Sequence, residues 1–388
     1  MNSALKFSDF KLDIPRDLFC NSARRSASEA KLVVVNALNS SIQHDSFENL
    51  ISHLEANDSL IINDSGISHS RLLGVSSKGL PLDICFVIEQ GDHLWEAMAL
   101  SPAGNPPEHG PFQLSGGIHG EILGRVSKFD RDRISDFDAE NWIEKDKYRR
   151  YRAVVRISTD SEGLREALDS SGRYMYPWYT NHDEIDEQDL NPITTRRLGS
   201  VLVSESARRL TPAMLMQMRA RGMDTISVSL WMSFGWNYWQ FHKGDMPLRD
   251  NKMNYEECEV THTAATQVKH AMHEGRRLIA VGTSSARALE SLPMPPVATS
   301  ARTNLFLQPG MPLKYCSGLL TNLHNSMATH IVMAATFGGT HLVLRACQEA
   351  IDRGYGFGIH GDSMLILGSH QPAARSELTQ ITEASHLA

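Results

Sequence analysis

Two junctions in the last third of the chain constrain its fold more than any other feature. In each, an apolar strand runs into a polar loop and then a helical pattern. Leu278-Ile279-Ala280-Val281 leads through Gly282 into the hydroxyls of Thr283, Ser284 and Ser285, and then into Ala286-Arg287-Ala288-Leu289-Glu290. Leu319-Leu320 leads into the polar turn Thr321-Asn322-Leu323-His324, followed by Asn325 to His330. A short Gly-rich run, Gly354 to Asp362, then enters the strand-like Met364-Leu365-Ile366. Loops beyond the carboxyl ends of strands in an α/β sheet converge on one crevice, where ligands bind. Leu32-Val33-Val34-Val35-Asn36 and Ser59-Leu60-Ile61-Ile62-Asn63 read as further short buried strands.

Between about 75 and 165 the texture changes. Leu82 to Ile88 alternates, Gly116, Gly117, Gly120 and Gly124 punctuate short segments, and Ala153-Val154-Val155-Arg156-Ile157 follows. Short strands with Gly turns predict an antiparallel barrel-like insert. The expected organisation is a mixed α/β domain from 1–75 and 166–367, a barrel-like domain from 76–165 and a polar tail from 368–388. Helices are expected over 212–221 and 261–274, with a strand over 225–230.

The net charge of −7 supplies no global attraction to nucleic acid. Cys20, Cys85, Cys258, Cys316 and Cys347 are widely spaced without a Cys-x-x-Cys pair, which points to reduced thiols in a cytoplasmic protein. No apolar run approaches the roughly 20 residues that span a membrane. His270 and His273 share a helical face but lack a third ligand, so no metal is expected.

Several constellations can carry chemistry. Trp231 to Phe241 holds six aromatics, including Trp231 and Trp236, which can face a soft cation or stack on adenine. The bland alternative is a strand buried on both faces. Thr283, Ser284 and Ser285 can cap a helix whose first amides favour an anion. His324 suits proton transfer, with Asn322 beside it. Asn63, Asp64 and Arg71 follow one buried strand, and Gly361-Asp362 offers a second carboxylate; a simple turn is the alternative at each. Lys145 to Arg156 interleaves basic and aromatic residues, read as a solvated barrel face.

These segments resemble the S-adenosylmethionine:tRNA ribosyltransferase-isomerases of queuosine synthesis. The resemblance rests on Val281 to Arg287, Thr321 to His324, Gly361 to Met364, Ile62 to Ser65 with Arg71 to Gly74, and Asp9 to Pro15. It runs from about residue 7 to about residue 367. It implies an α/β domain carrying an inserted β-barrel, with S-adenosylmethionine as substrate. In that family the sulfonium acidifies the 5′ carbon, adenine leaves as the ribose opens, and the aminomethyl nitrogen of a modified guanine in tRNA attacks the sugar. An epoxycyclopentane ring then closes and methionine departs.

The chain departs from the family's pattern in four blocks. A Pro-Thr-Ala-Gly-Leu-His-Phe block is replaced by Ser204 to Leu210, and a His-x-Gly-x-Gly-Thr-Phe block by Trp231 to Asn237. A His-His-Met-His-x-Glu block keeps only Met253 and Glu256, and an Arg-Tyr-Gln-Thr-Val-Tyr stretch is not recognisable in Leu190 to Arg197.

The leading expectation is therefore a divergent enzyme that cleaves or rearranges S-adenosylmethionine with a small-molecule or intramolecular acceptor, tRNA not being favoured. His324, Asp64 and Asp362 are the expected catalytic residues. Asn63, Arg71, Trp231, Trp236, Thr283, Ser284, Ser285, Arg287, Asn322 and Gly361 are the expected ligand-binding set. The family's own tRNA reaction and a non-catalytic binding protein are the alternatives.

Overall fold

The computed structural model describes residues 4–20, 27–101, 109–125, 149–174, 190–202, 204–232, 246–358 and 360–368. Seventeen strands run through these residues, and the chain forms two compact units. One comprises Met1–Gly66, Tyr179–Leu198 and Val203–Ala388, the other Ile67–Trp178 with Gly199–Leu202. The fold is mixed α/β with a closed antiparallel barrel.

The first unit is built on a sheet of nine strands. In chain order these are β1 (Lys31–Asn36), β2 (Ser41–Ser46), β3 (Ser59–Asn63), β12 (Asp224–Trp231), β13 (Glu256–Val260), β14 (Leu278–Val281), β15 (Thr299–Thr303), β16 (Gly318–Asn322) and β17 (Ser363–Leu367). Across the sheet the order is β15-β13-β12-β3-β14-β16-β17-β1-β2. β12, β3, β14 and β16 run parallel, whereas β17 runs against β16 and alongside β1.

Successive side chains of a strand point to opposite faces, and here both faces are covered. Ile61, Leu278, Ala280, Val33 and Leu319 pack into one core. Leu60, Ile62, Ile279, Val281, Leu32 and Leu320 pack into the other. That double burial explains why these strands read as unbroken apolar runs. Each such Val, Leu or Ile contributes about 1.5–3 kcal/mol by leaving water.

Helices enclose the sheet. α2 (Pro212–Ala220) starts at Thr211, whose hydroxyl accepts from the Met214 amide, and Pro occupies its first turn. α3 (His262–His273) starts the same way at Thr261 and buries Ala264, Ala265, Val268 and Ala271. α4 (Thr283–Glu290), α5 (Thr329–Gly338) and α6 (Thr340–Asp352) complete the set.

The second unit is a six-stranded barrel. Its strands are β5 (Arg71–Ser76), β6 (Pro81–Gly91), β7 (Leu94–Ser101), β8 (Gly110–Leu114), β9 (His119–Arg125) and β10 (Arg149–Ile157). Their order is β10-β7-β6-β5-β8-β9, closed by pairing of β9 with β10. A separate two-stranded ribbon pairs β4 (Ser65–Ile67) with β11 (Arg197–Ser200).

The barrel unit takes in more chain than the 76–165 read from composition. β5 pairs with β6 and β8, and α1 (Ser161–Ser171) adds Leu164 and Ala167 to the barrel core. Ladder pairing and core contacts, not the change of texture between about 75 and 165, set this unit's membership. Among the described residues no helix is long and apolar enough to cross a membrane.

Candidate functional site

The sheet register brings the conspicuous loops together. Val281 lies opposite Ile62 on one side and Leu320 on the other, and Asn322 lies opposite Ser363. The carboxyl ends of β3, β14 and β16 therefore share one edge with the amino end of β17. Asn63 and Asp64, Gly282 to Ser285, Asn322 to His324, and Gly361 with Asp362 all sit along it. A crevice at the carboxyl edge of such strands is where open α/β sheets take ligands.

The helix start after β14 differs from the capping expected of its hydroxyls. Gly282 itself is the N-cap of α4, and no side chain caps the helix. Ser285 turns its hydroxyl back onto the Val281 carbonyl at 2.6 Å. Gly282 has φ 90° and ψ 150°, a conformation open essentially to glycine alone. The space where a side chain would start is rimmed by Ser204 Oγ at 3.0 Å, Ser284 Oγ at 3.5 Å and Ser206 Oγ at 3.6 Å. Ser204 and Ser284 are themselves linked at 3.4 Å. The result is a buried cradle of hydroxyls beside the first amides of a helix.

Arg287 follows on α4 and is only 4 % exposed. Its Nε donates to the Leu305 carbonyl at 2.8 Å, and its Nη1 pairs with Glu256. Its Nη2 is buried with no hydrogen-bond partner. A guanidinium nitrogen left bare in this way is costly, and a ligand oxygen would satisfy it.

Beyond Arg287 lie two imidazoles, with the rings of His324 and His330 stacked at 4.8 Å. Burial, and then His330, hold His324 well below the usual imidazole range. Burial, and then Arg287, push His330 down to about 4. Nε2 of His324 lies 2.7 Å from the Thr321 hydroxyl. Both rings are neutral at pH 7, and His324 is engaged. Asn322 is 3 % exposed on the same strand end.

Asn63 acts as a splice between strands. Its amide donates to the Leu230 carbonyl and accepts from the Leu230 amide, each at 3.0 Å, and also accepts from Ser65 at 3.1 Å. Those bonds commit it to the backbone rather than to a ligand. Asp64 is 5 % exposed and accepts from the Ser229 hydroxyl at 2.6 Å. Trp231 ends β12, and its indole donates to the Leu198 carbonyl at 3.2 Å. Trp236 lies outside the described residues, as does most of the aromatic segment. Arg71 belongs to the barrel unit, where it lies 3.8 Å from Asp83.

Asp362 is fully buried. One of its oxygens accepts from the Lys31 amide at 2.9 Å and the other from the Gly356 amide at 2.7 Å. This carboxylate pins the 356–362 loop to β1. Gly361 is required by the same loop, since a Cβ there would lie 2.7 Å from the Phe357 carbonyl carbon and 2.8 Å from the Gly356 oxygen.

A charged cluster at this edge was absent from the candidate residues. Glu205, in the short turn Glu205–Ala207, pairs with Arg208 at 3.2 Å. Its other oxygen lies 3.5 Å from Nδ1 of His360, which is 5 % exposed. Arg209 donates to the His360 carbonyl at 2.9 Å. Burial acts to raise the Glu205 carboxyl, but Arg208, His360 and Arg209 together hold it below the usual range. The available signal was the charge density of Glu205-Ser206-Ala207-Arg208-Arg209, which had registered only as loss of a family block. Among the described residues, no group of three or more His, Cys, Asp or Glu side chains is placed to hold a metal ion.

Fold and edge together define a mixed α/β protein with an inserted antiparallel barrel. The model of the queuosine biosynthesis protein family matches residues 7–366, and the chain belongs to that family. It is 29 % identical to an S-adenosylmethionine:tRNA ribosyltransferase-isomerase of Anaeromyxobacter dehalogenans, over 94 % of this chain and 99 % of the relative. It is 24 % identical to the protein of that name from Desulforamulus reducens, over 94 % and 100 %. A crystal structure of S-adenosylmethionine tRNA ribosyltransferase from Thermotoga maritima aligns with TM-score 0.49 at 20 % identity, covering 93 % of this chain and 100 % of that one.

These full-length likenesses correct one expectation. A small-molecule acceptor with tRNA disfavoured does not fit relatives named for action on tRNA along nearly their whole length. The lost blocks and the negative net charge had suggested otherwise, but neither excludes local contacts to RNA.

Proposed function

We propose that this chain binds S-adenosylmethionine at the β14–α4 junction and transfers its ribosyl portion to tRNA. The observation that carries the reading is the pairing of a hydroxyl cradle at Gly282 with the unsatisfied Nη2 of the buried Arg287. Ribose hydroxyls suit the cradle of Ser204, Ser206 and Ser284, with Thr283 beside it. The methionine carboxylate suits Arg287, because a guanidinium recognises a carboxylate with geometric specificity. Asp64 and Asn322 are the polar wall on either side. The names of the relatives supply the acceptor, and the family reaction supplies the order of events.

Burial serves this chemistry. A closed, low-dielectric crevice strengthens the interactions that hold a sulfonium substrate while its bonds rearrange. Asn63 and Asp362 are assigned to building the crevice, since their polar atoms already serve the backbone.

The test incubates the protein with S-adenosylmethionine and tRNA that carries the aminomethyl-bearing modified guanine, and follows tRNA nucleosides, adenine and methionine by mass spectrometry. The expected result is a heavier modified guanosine, with adenine and methionine released in step. Binding of S-adenosylmethionine with tRNA left unchanged would overturn the transfer reading and favour a non-catalytic binding protein.

A further inference from the structure

His360 and Glu205 are neighbouring groups at this edge that the binding roles leave unused. His360 immediately precedes Gly361 and Asp362 at the amino end of β17, and it is 5 % exposed. Neither of its ring nitrogens has a hydrogen-bond partner. Nδ1 stands 3.5 Å from Glu205 Oε2, close enough that a small shift on binding completes the bond. Glu205 lies between Ser204 and Ser206, the residues whose hydroxyls rim the Gly282 cradle. A buried imidazole nitrogen without a hydrogen-bond partner is costly, and such a group beside the cradle marks a place where a ligand completes the bonding.

We propose that His360, oriented by Glu205, is the base that takes a proton from the bound sulfonium substrate. The proposal rests on the S-adenosylmethionine reading of the crevice. Carbon–hydrogen bonds beside a sulfonium are the acidic ones, because the positive sulfur stabilises the electron pair left behind. In the step, a C5′–H bond breaks and the proton goes to Nε2 of His360. The electron pair stays on the carbon as the sulfonium ylide, so charge and atoms balance without an oxidant or other co-reactant. The imidazolium is then held against the Glu205 carboxylate.

The surroundings suit that role. Arg208 holds Glu205 Oε1, Arg209 fixes the His360 carbonyl, and the Asp362 carboxylate acts on Arg209 from the loop that carries His360. Two guanidiniums and two carboxylates leave the cluster neutral before the proton arrives. His324 is already engaged by Thr321 and stacked on His330.

The experiment follows exchange of the 5′ protons of S-adenosylmethionine in deuterated buffer by NMR, with calorimetry for binding. Wild type is expected to exchange them. His360→Gln and His360→Asn should lower the exchange rate by about 100-fold or more while holding Kd within about threefold. Glu205→Gln, which also serves if the His360 variants do not fold, should lower the exchange rate by about tenfold with Kd again within about threefold, because it removes the carboxylate that orients the imidazole and receives its charge, and an unchanged rate in this variant overturns the assignment. Exchange in the His360 variants within threefold of wild type overturns the assignment. A wild type that binds S-adenosylmethionine without exchanging these protons also overturns it, leaving the binding reading intact. A wild type that does not bind S-adenosylmethionine refutes the reading of the crevice, and the base assignment with it.

Discussion

Replacing Gly282 by alanine tests stability and binding through one methyl group. At φ 90° and ψ 150°, a residue with a Cβ is strained by about 1–3 kcal/mol. The methyl would also lie 3.0 Å from Ser204 Oγ, a contact the serine relieves only by giving up its 3.4 Å link to Ser284. That adds up to about 1 kcal/mol for a weak neutral hydrogen bond. The sum, roughly 2–3 kcal/mol, corresponds to a fall of about 4–6 °C in the melting of the α/β unit. The methyl occupies the centre of the hydroxyl cradle, so the affinity for S-adenosylmethionine should fall at least tenfold, about 1.4 kcal/mol. Calorimetric scans and titrations on the same samples read both effects. A variant with wild-type melting and wild-type Kd would refute both the strain and the assignment of the cradle. Loss of stability with unchanged affinity would refute the assignment alone.

His330 makes the α/β unit sensitive to acid. Its folded-state value near 4, against an ordinary 6.5, means that the unfolded chain binds more protons between those pH values. Its contribution, roughly 2–3 kcal/mol, is complete above pH 6.5 and lost as pH falls toward 4. His330→Gln should therefore flatten the dependence of the urea midpoint on pH, and an unchanged slope would count against the burial described. The barrel behaves oppositely at Asp83, whose carboxyl is raised by burial against the lowering pull of Arg71 and Arg173. Its stability contribution is greatest with the carboxyl protonated and declines as pH rises above 3.8. Asp83→Asn should raise the barrel's unfolding midpoint at pH 7, because it removes a carboxylate that burial disfavours, and a lower midpoint would show that the Arg71 pair outweighs burial.

What the sequence made legible was whatever local pattern dictates. β1, β3, β12 and β14 fall within a residue of their expected positions, because strands buried on both faces must be apolar throughout. α2 and α3 carry their threonine caps in the sequence. The gathering of the polar loops was legible as well, since the carboxyl ends of neighbouring parallel strands fall at one sheet edge. The division of labour within it was not. Asn63 looks like a ligand-binding group and Asp362 like a catalytic one in one dimension, and only the three-dimensional structure reveals that their atoms complete backbone hydrogen bonds. Thr283 to Ser285 look like caps, yet the left-handed Gly282 takes that place. About 150 residues separate Glu205, Arg208 and Arg209 from His360, and no periodicity announces that these groups will be buried together.

The sheet register also dictates an order of events during synthesis. β3 emerges early, but its neighbours are β12 and β14, separated from it by the whole barrel segment. β1 waits longer still, because its partner β17 lies more than 300 residues downstream and brings Asp362 to the Lys31 amide. Pairings of such long range are slow to form and leave apolar edges uncovered meanwhile. The barrel, by contrast, draws its strands from one contiguous stretch and can close while the ribosome is still translating. The β1–β2 pair must wait for the last strand to join the sheet, so a chain arrested before β17 would carry a finished barrel and an open sheet edge at β16, a form that chaperones and proteases recognise.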